Sequence, residues 1–322
     1  MKKLNFKEDN ILYLVIPSFN EEEVLLTTSN ILKDILSSLI DKKKISAKSK
    51  ILFVNDGSKD KTWNIISSLH EENNLFTGIS LSRNKGHQNA VLAGLLTAVT
   101  HNADTTISID ADLQDDPNCI EMMIDKYNEG FEVVYGVRGS RKKDSFLKRF
   151  TAQAYYKVMK IMGVDLVYNS ADCRLMSKRA IEALEQFSEV NLFLRGIVPL
   201  IGFKSTTVTY SRNERLAGES KYGIRKMFAL ANEGITSFST RPLSLLTTFG
   251  WLFILTSIIL VICLTTIAIY GLAQNILLGL FIATLVIGFV FVGLGVLGNY
   301  IGKTYLEVKK RPHYFIEEDL ED

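Results

Sequence analysis

The chain has 322 residues, a formal charge of +2, three cysteines and four histidines. That length allows one large domain or two smaller ones, and the near-neutral balance removes any global electrostatic case for nucleic acid as a partner. Cys119, Cys173 and Cys263 show no C-x-x-C spacing, so neither a disulfide framework nor a zinc site is expected.

Met1–Asn10 is charged and has no apolar core, so no signal peptide is expected. Ile11–Pro17 is a continuous apolar run, the pattern of a parallel strand buried on both faces. It ends at Ser18-Phe-Asn-Glu-Glu-Glu23, where Asn20 with Glu23 three residues later predicts a capping box. The apolar positions from Val24 to Leu39 then recur at helical spacing. A second strand is predicted at Lys50–Asn55, followed by the turn Asp56–Thr62 and a helix at Trp63–His70. A third, Phe76–Leu81, leads through Ser82-Arg-Asn-Lys-Gly-His87 into a helix at Gln88–Thr100, and a fourth covers Thr105–Ile109. This β-α-β-α-β-α-β order puts a polar segment at the carboxyl end of each strand, where ligands bind in an open doubly wound sheet. Neither G-x-G-x-x-G after the first strand nor G-x-x-x-x-G-K-[ST] occurs, which disfavours dinucleotide and P-loop sites.

The fourth strand runs into Ser108-Ile-Asp-Ala-Asp-Leu-Gln-Asp-Asp-Pro117. Asp110 and Asp112 stand at i and i+2, so in an extended segment their carboxylates point the same way. They can converge on one hard divalent cation, Mg²⁺ or Mn²⁺, shared with substrate phosphates. The same spacing occurs in solvated acidic loops ahead of a helix, and taken alone it does not choose between them. Four polar strand ends in one sheet favour the metal.

Next come a helix at Asn118–Asn128, a strand at Glu132–Gly136, the basic loop Arg138-Gly-Ser-Arg-Lys-Lys143 and a helical run at Phe146–Met162. A polar turn, Asn169–Leu175, enters a helix at Lys178–Gln186, and Phe203–Tyr210 alternates like an antiparallel edge strand. A second basic segment, Arg212–Lys226, precedes apolar residues at helical spacing from Ile224 to Phe238. These predict an amphipathic helix at a membrane surface, with an ordinary surface helix as the alternative. From Pro242 to Gly302 there is no Asp, Glu, Lys, Arg or His, a stretch about three times the roughly 20 residues of one bilayer crossing. Two spans are predicted, about 243–270 and 276–300, joined by the uncharged Gly271–Asn275. Arg241 precedes them and Lys303, Lys309, Lys310 and Arg311 follow, which puts both flanks in the cytoplasm. Gly288, Gly293, Gly295 and Gly298 give the second span a small-residue face for close packing, within the pair or between copies.

Together these segments resemble the family-two, GT-A-type inverting glycosyltransferases, and more narrowly the bacterial polyprenyl-phosphate glycosyltransferases with a C-terminal two-span anchor. The resemblance rests on Val15–Glu22, Asn55-Asp-Gly-Ser58 with Asp60 and Thr62, Ser82–Gly86, and Asp110-Ala-Asp-Leu-Gln-Asp115. Ala171-Asp-Cys-Arg-Leu175, Arg215 with Gly218-Glu-Ser-Lys221, and Thr236–Leu243 complete it, so it covers about residues 11 to 310. It implies an α/β fold whose cytoplasmic domain, 1–215, is a Rossmann-like, mixed and mostly parallel sheet flanked by helices. An amphipathic juxtamembrane segment (216–240), two transmembrane helices (within 241–302) and a cytoplasmic tail (303–322) follow.

The implied reaction is inverting transfer of one sugar, glucose first, from a UDP-sugar to undecaprenyl phosphate at the cytoplasmic face of the bacterial membrane, supplying cell-envelope glycan modification. The resemblance assigns the nucleotide sugar to Pro17, Asn20, Glu22, Asn55, Asp56, Arg83, Asp110 and Ala111. It assigns the Mg²⁺ or Mn²⁺ to Asp112 with Asp110, and the role of catalytic base to Asp172. The candidate ligands of the lipid phosphate are Arg138, Arg141, Arg212, Arg215 and Lys221, whose charges also suit anionic headgroups in general. A phosphate monoester has a second pKa of ~6, so it needs aim more than deprotonation; Asp172 therefore also fits an orienting or electrostatic role. The resemblance implies a homotetramer as well. Two residues depart from the family pattern: Asn55 stands where an Asp is usual, and Cys173 where an aromatic is usual. Gln-x-x-Arg-Trp, the mark of processive synthases, is absent, which favours a single transfer. A dolichyl-phosphate-mannose-type synthase using GDP-mannose and a non-catalytic membrane scaffold are the alternatives.

Overall fold

The computed structural model describes residues 9–139, 153, 156–162, 166–190, 192–211, 235–236, 239–269 and 276–321. One eight-stranded sheet organises it, with strands β1 (Leu12–Ser18), β2 (Lys50–Asn55), β3 (Phe76–Leu81), β4 (Thr105–Ser108), β5 (Val133–Arg138), β6 (Ser170–Ser177), β7 (Ser205–Tyr210) and β8 (Ile316–Asp319). Their order is β7-β5-β6-β4-β1-β2-β3-β8. Strands β4, β1, β2 and β3 are parallel neighbours, β7 is parallel to β5, and β6 and β8 run antiparallel to theirs. This is the mixed, mostly parallel sheet that the resemblance implies.

The apolar run of β1 serves both faces, because successive side chains alternate across a strand. Leu12, Leu14 and Ile16 enter one core with helices α1 (Leu25–Asp41), α2 (Thr62–Glu72) and α4 (Cys119–Asn128). Tyr13 and Val15 enter the other with α3 (His87–Thr100), α5 (Lys178–Glu185) and α6 (Leu194–Leu200). Helix α3 lies close on the sheet, since a Cβ on Gly94 would sit 2.4 Å from Val15 Cγ1 and 2.7 Å from Val54 Cγ2.

Three local expectations are corrected. No capping box forms: α1 starts at Leu25 without a side-chain cap, and Asn20 Oδ1 instead accepts from the Lys59 amide at 2.9 Å. Asn169–Leu175 is not a turn but most of β6, which lies between β4 and β5. Ala171, Cys173 and Leu175 face the first core, while Ser177, at the end of the strand, caps α5 by accepting from Ala180 N. Finally, β7 is an edge strand but parallel to β5, from Val133 opposite Ser205 to Arg138 opposite Tyr210.

Two long apolar helices follow, α7 (Arg241–Ile269) and α8 (Ile276–Lys309). They lie side by side with the Phe249 and Phe289 rings edge to face at 5.9 Å and Leu246 against Gly293. Among the described residues one segment, Leu285–Lys309, is long and apolar enough to cross a membrane. Of the four glycines expected to pack, a Cβ at Gly293 would meet Leu246 of the other helix at 3.8 Å, and one at Gly288, Gly295 or Gly298 would meet nothing within 4 Å among the described residues. The chain then returns to the sheet, where β8 pairs with β3. Residues 212–226, the helix expected at 224–238 apart from 235–236, and most of the loop at 138–143 lie outside the described residues.

Candidate active site

The loops after β1 and β2 are tied to each other. The Asn20 amide donates to Ser58 Oγ at 3.0 Å, the Glu21 amide to Thr62 Oγ1 at 3.0 Å and the Glu22 amide to Asp60 Oδ2 at 3.2 Å, while Glu22 Oε2 accepts from the Lys61 amide at 3.0 Å. Buried Asn55 accepts from the Ser58 amide at 3.0 Å and donates from Nδ2 to Ser80 Oγ at 2.9 Å. Asp56, also buried, accepts from the Lys85 and Gly86 amides at 2.7 and 2.9 Å and so fixes the loop after β3. Burial pushes its carboxyl up, and the two amides pull it back. Gly57 holds φ +63° beside that loop, where a Cβ would come within 2.5 Å of the Arg83 and Asn84 backbone; only glycine suits both demands. Asn20, Glu22, Asn55 and Asp56 thus shape the strand ends by binding backbone. Pro17 lies within β1 beside them, opposite Val54 of β2. Together these loops wall a cavity of about 650 Å³ lined by Phe19, Asn55, Asp60, Trp63 and Arg83 among others.

A second group converges beside it. Asp110 follows β4, His87 opens α3 and Asp172 projects from β6. His87 Nε2 lies 3.7 Å from Asp110 Oδ1 and 3.6 Å from Asp172 Oδ2. Arg195, on α6, grips Asp172 with two parallel bonds, Nε to Oδ1 and a terminal nitrogen to Oδ2, each 2.9 Å. Burial alone would raise the Asp172 carboxyl; Arg195, helped by His87 and Arg174, outweighs it and holds the group well below the usual carboxylate range. Asp110 goes the other way. It is 38 % exposed on its open side, yet enclosure among the strand ends, reinforced by the Asp172, Asp115 and Asp112 carboxylates and opposed by His87, pushes it up to about 6.

The remaining expected residues are placed as follows. Asp112 sits in the turn after Asp110, where its Oδ1 accepts from the Gln114 amide at 3.2 Å. Ala111 is buried, and its carbonyl accepts from Thr28 Oγ1 at 2.6 Å. Arg138 is held by buried Asp115, at 3.3 and 3.2 Å from its Oδ1. Arg83 is exposed on the cavity rim. Arg141, Arg212, Arg215 and Lys221 lie outside the described residues.

Donor atoms of His87, Asp110 and Asp172 lie within 4.8 Å of one another. Two carboxylates and one imidazole suit a divalent cation of the Mg²⁺ or Mn²⁺ kind, with the imidazole favouring Mn²⁺. Asp112 stands outside that trio, two residues past Asp110.

Two members of the site escape a reading of the sequence. His87 shows no metal-ligand spacing, and its only signal is its place at the end of a strand–loop segment that already carries Arg83. Arg195 lies in Asn191–Leu200, a segment with no motif, and only the packing of α6 against α3, where the Leu194 amide donates to Gln88 Oε1 at 3.0 Å, carries it to Asp172.

Residues 13–185 match the family model described as "Glycosyl transferase family 2". The chain is 48% identical over 311 residues to "Uncharacterized glycosyltransferase YkoT" of Bacillus subtilis (strain 168), covering 96% of this chain and 92% of that one. It is 39% identical over 310 residues to "Prophage bactoprenol glucosyl transferase homolog" of Escherichia coli (strain K12), covering 94% and 97%. It is 38% identical over 310 residues to "Bactoprenol glucosyl transferase" of Shigella phage SfX, covering 94% and 98%.

Proposed function

Because the chain belongs to glycosyl transferase family 2 and is a glycosyltransferase, we propose that it transfers one sugar, glucose as first choice, from a UDP-sugar to undecaprenyl phosphate. The transfer takes place with inversion at the cytoplasmic face of the bacterial membrane and supplies a lipid-linked sugar for cell-envelope glycans. The observation that carries this reading is that relatives named for bactoprenol glucosyl transfer align with 94% of this chain, its apolar helices included.

The site chemistry fits. Arg83 on the cavity rim suits the donor diphosphate. Asp110, Asp172 and His87, with Asp112 close by, would hold the divalent cation, which when bound supplies a Lewis acid for the leaving diphosphate. The acceptor phosphate is largely dianionic at neutral pH, so its oxygen attacks the anomeric carbon without first losing a proton. Asp172, gripped by Arg195, is correspondingly a poor proton acceptor. Its role in this reading is electrostatic and orienting. Arg141, Arg212, Arg215 and Lys221 receive the lipid phosphate, with Arg138 already paired to Asp115.

The sheet supports a two-span anchor. Strands β7 and β8 belong to one sheet, and α7 and α8 lie between them in the chain. The chain in this reading leaves and rejoins one side of the membrane by an even number of crossings. In this reading the catalytic domain and both termini are cytoplasmic, and the assembly is a homotetramer.

The test is purified full-length protein with Mn²⁺, undecaprenyl phosphate and a panel of labelled nucleotide sugars. Transfer from UDP-glucose is expected. Transfer from GDP-mannose alone would replace the donor, and no transfer from any donor would favour a scaffold.

A further inference from the structure

Past α8 the chain does not end as a loose tail. His313 Nδ1 lies 3.2 Å from Asn89 Oδ1 on α3, and the Ser82 amide donates to the Phe315 carbonyl at 3.0 Å. Beyond β8 the Leu320 amide donates to the Gly78 carbonyl at 2.9 Å, and Thr77 Oγ1 donates to the Leu320 carbonyl at 2.7 Å. Tyr314 packs on one core and Leu320 on the other. His101 Nε2 lies 3.2 Å from Asp319 Oδ2 and 3.1 Å from Glu321 Oε2. The segment is therefore anchored on both faces of the sheet, next to the end of β3.

That anchoring brings new groups to the cavity beside Asn55, whose wall includes Glu317 and Glu318 as well as Phe19, Trp63 and Arg83. Asn55 is paired with Ser80, and Ser80 with Glu318, so the three form one row across β2, β3 and β8. The Asn55 carbonyl oxygen already accepts from the Ser58 amide, and both Asp56 oxygens accept from the loop after β3. Asp60 likewise accepts from the Thr62 and Glu22 amides. A nucleoside presents hydrogen-bond donors, its ribose hydroxyls and any base N–H, and needs acceptors. Among the described residues, Glu317 and Glu318 have no side-chain partner of their own.

We propose that β8 is part of the donor site, and that Glu317 and Glu318 accept hydrogen bonds from the donor's nucleoside, a task that the internally bonded Asn55 does not perform. This rests on the reading of the chain as a nucleotide-sugar enzyme. It makes the donor site depend on a segment joined to α8 by only Lys310–Phe315.

The test uses full-length protein in detergent, with UDP, GDP and inorganic pyrophosphate as probes and binding followed by calorimetry. In Glu317→Ala/Glu318→Ala, affinity for the nucleoside diphosphate bound by the wild type is expected to fall about tenfold or more, as befits lost hydrogen bonds to charged acceptors. Pyrophosphate affinity and the KM for undecaprenyl phosphate are expected to stay the same. Deletion after Tyr314 is expected to weaken nucleotide binding at least as much. Unchanged nucleotide affinity in the double variant overturns the inference while leaving the donor reading intact, as does an equal loss for pyrophosphate, which would place the glutamates at the diphosphate. A wild type that binds neither UDP nor GDP overturns the donor reading, and this inference with it.

Discussion

At the scale of single residues the site turns on how its carboxylates are held. Arg195 meets Asp172 as a two-pronged fork, a geometry that lysine cannot reproduce. Arg195→Lys is therefore expected to cut kcat about ten- to hundredfold with donor KM nearly unchanged; a change confined to KM would place Arg195 at the donor instead. Arg195→Ala leaves Asp172 partly buried without its two-pronged partner, and an expected loss of about 2 kcal/mol follows, discounted because the pair is partly exposed. The pH dependence has a definite sign. The pair lowers the folded-state pKa of Asp172, so its contribution is present above the ordinary carboxylate range and is lost as pH falls through the folded value. The difference in stability between wild type and Arg195→Ala is thus expected to narrow below about pH 4, and thermal unfolding at pH 7 and pH 3.5 checks it. Asp112→Asn tests the neighbouring assignment. Loss of turnover is expected, and near-normal activity of the wild type in the presence of EDTA would refute the metal itself.

At the scale of elements, β6 shows both what a sequence reveals and what it conceals. Strands β1 and β2 are legible from their apolar runs and β3 and β4 from their place in the alternating order, and each stops at a polar turn; residues at the turns after β1, β2 and β3 line the cavity, and the turn after β4 carries Asp110. Strand β6 carries the alternation of a strand, with Ala171, Cys173 and Leu175 on its core face. It also holds Asp172 and Arg174, charges that belong in a central strand only if partners from distant segments cover them. Arg195 supplies one partner and the Tyr135 ring, 5.4 Å from the Arg174 guanidinium, another, and neither is visible in the local sequence. The direction of β7 is hidden for a similar reason, since alternation marks an edge strand without saying which way it runs. Cys173 itself has a partner that spacing could not reveal: its sulfur is 3.5 Å from that of Cys119 on α4, and both are buried. Two small side chains fill that space together. Cys173→Phe, the aromatic more usual at this place, is expected to cost about 1–3 kcal/mol by overpacking, and Cys119→Ala in the same chain is expected to recover part of it. Thermal unfolding of the single and double variants decides, and strictly additive losses would separate the two sites.

At the scale of the whole molecule, the sheet constrains the membrane topology more firmly than hydropathy does. A single crossing would leave β8 on the far side of the bilayer from β3, the strand it pairs with. If α8 crosses, as its segment Leu285–Lys309 is long and apolar enough to do, the proposed two-span anchor has α7 make the second crossing that returns the chain to its sheet. Charge agrees, with Arg241 on one flank and Lys303, Lys309, Lys310 and Arg311 on the other. Cysteines introduced at the two ends of α8 test this directly in whole cells with a membrane-impermeant thiol reagent. Asn275→Cys, in the short connection, is expected to label from outside, and Lys310→Cys only after the membrane is opened. The native cysteines interfere little, because Cys119 and Cys173 are buried and the wild-type chain gives the background from Cys263. Labelling of Lys310→Cys in intact cells would place β8, and with it the sheet it pairs into, outside the cell and would overturn the proposed cytoplasmic location of the catalytic domain. Protection of both sites in intact cells would instead point to two helices lying on the inner face, an even number of crossings equal to zero.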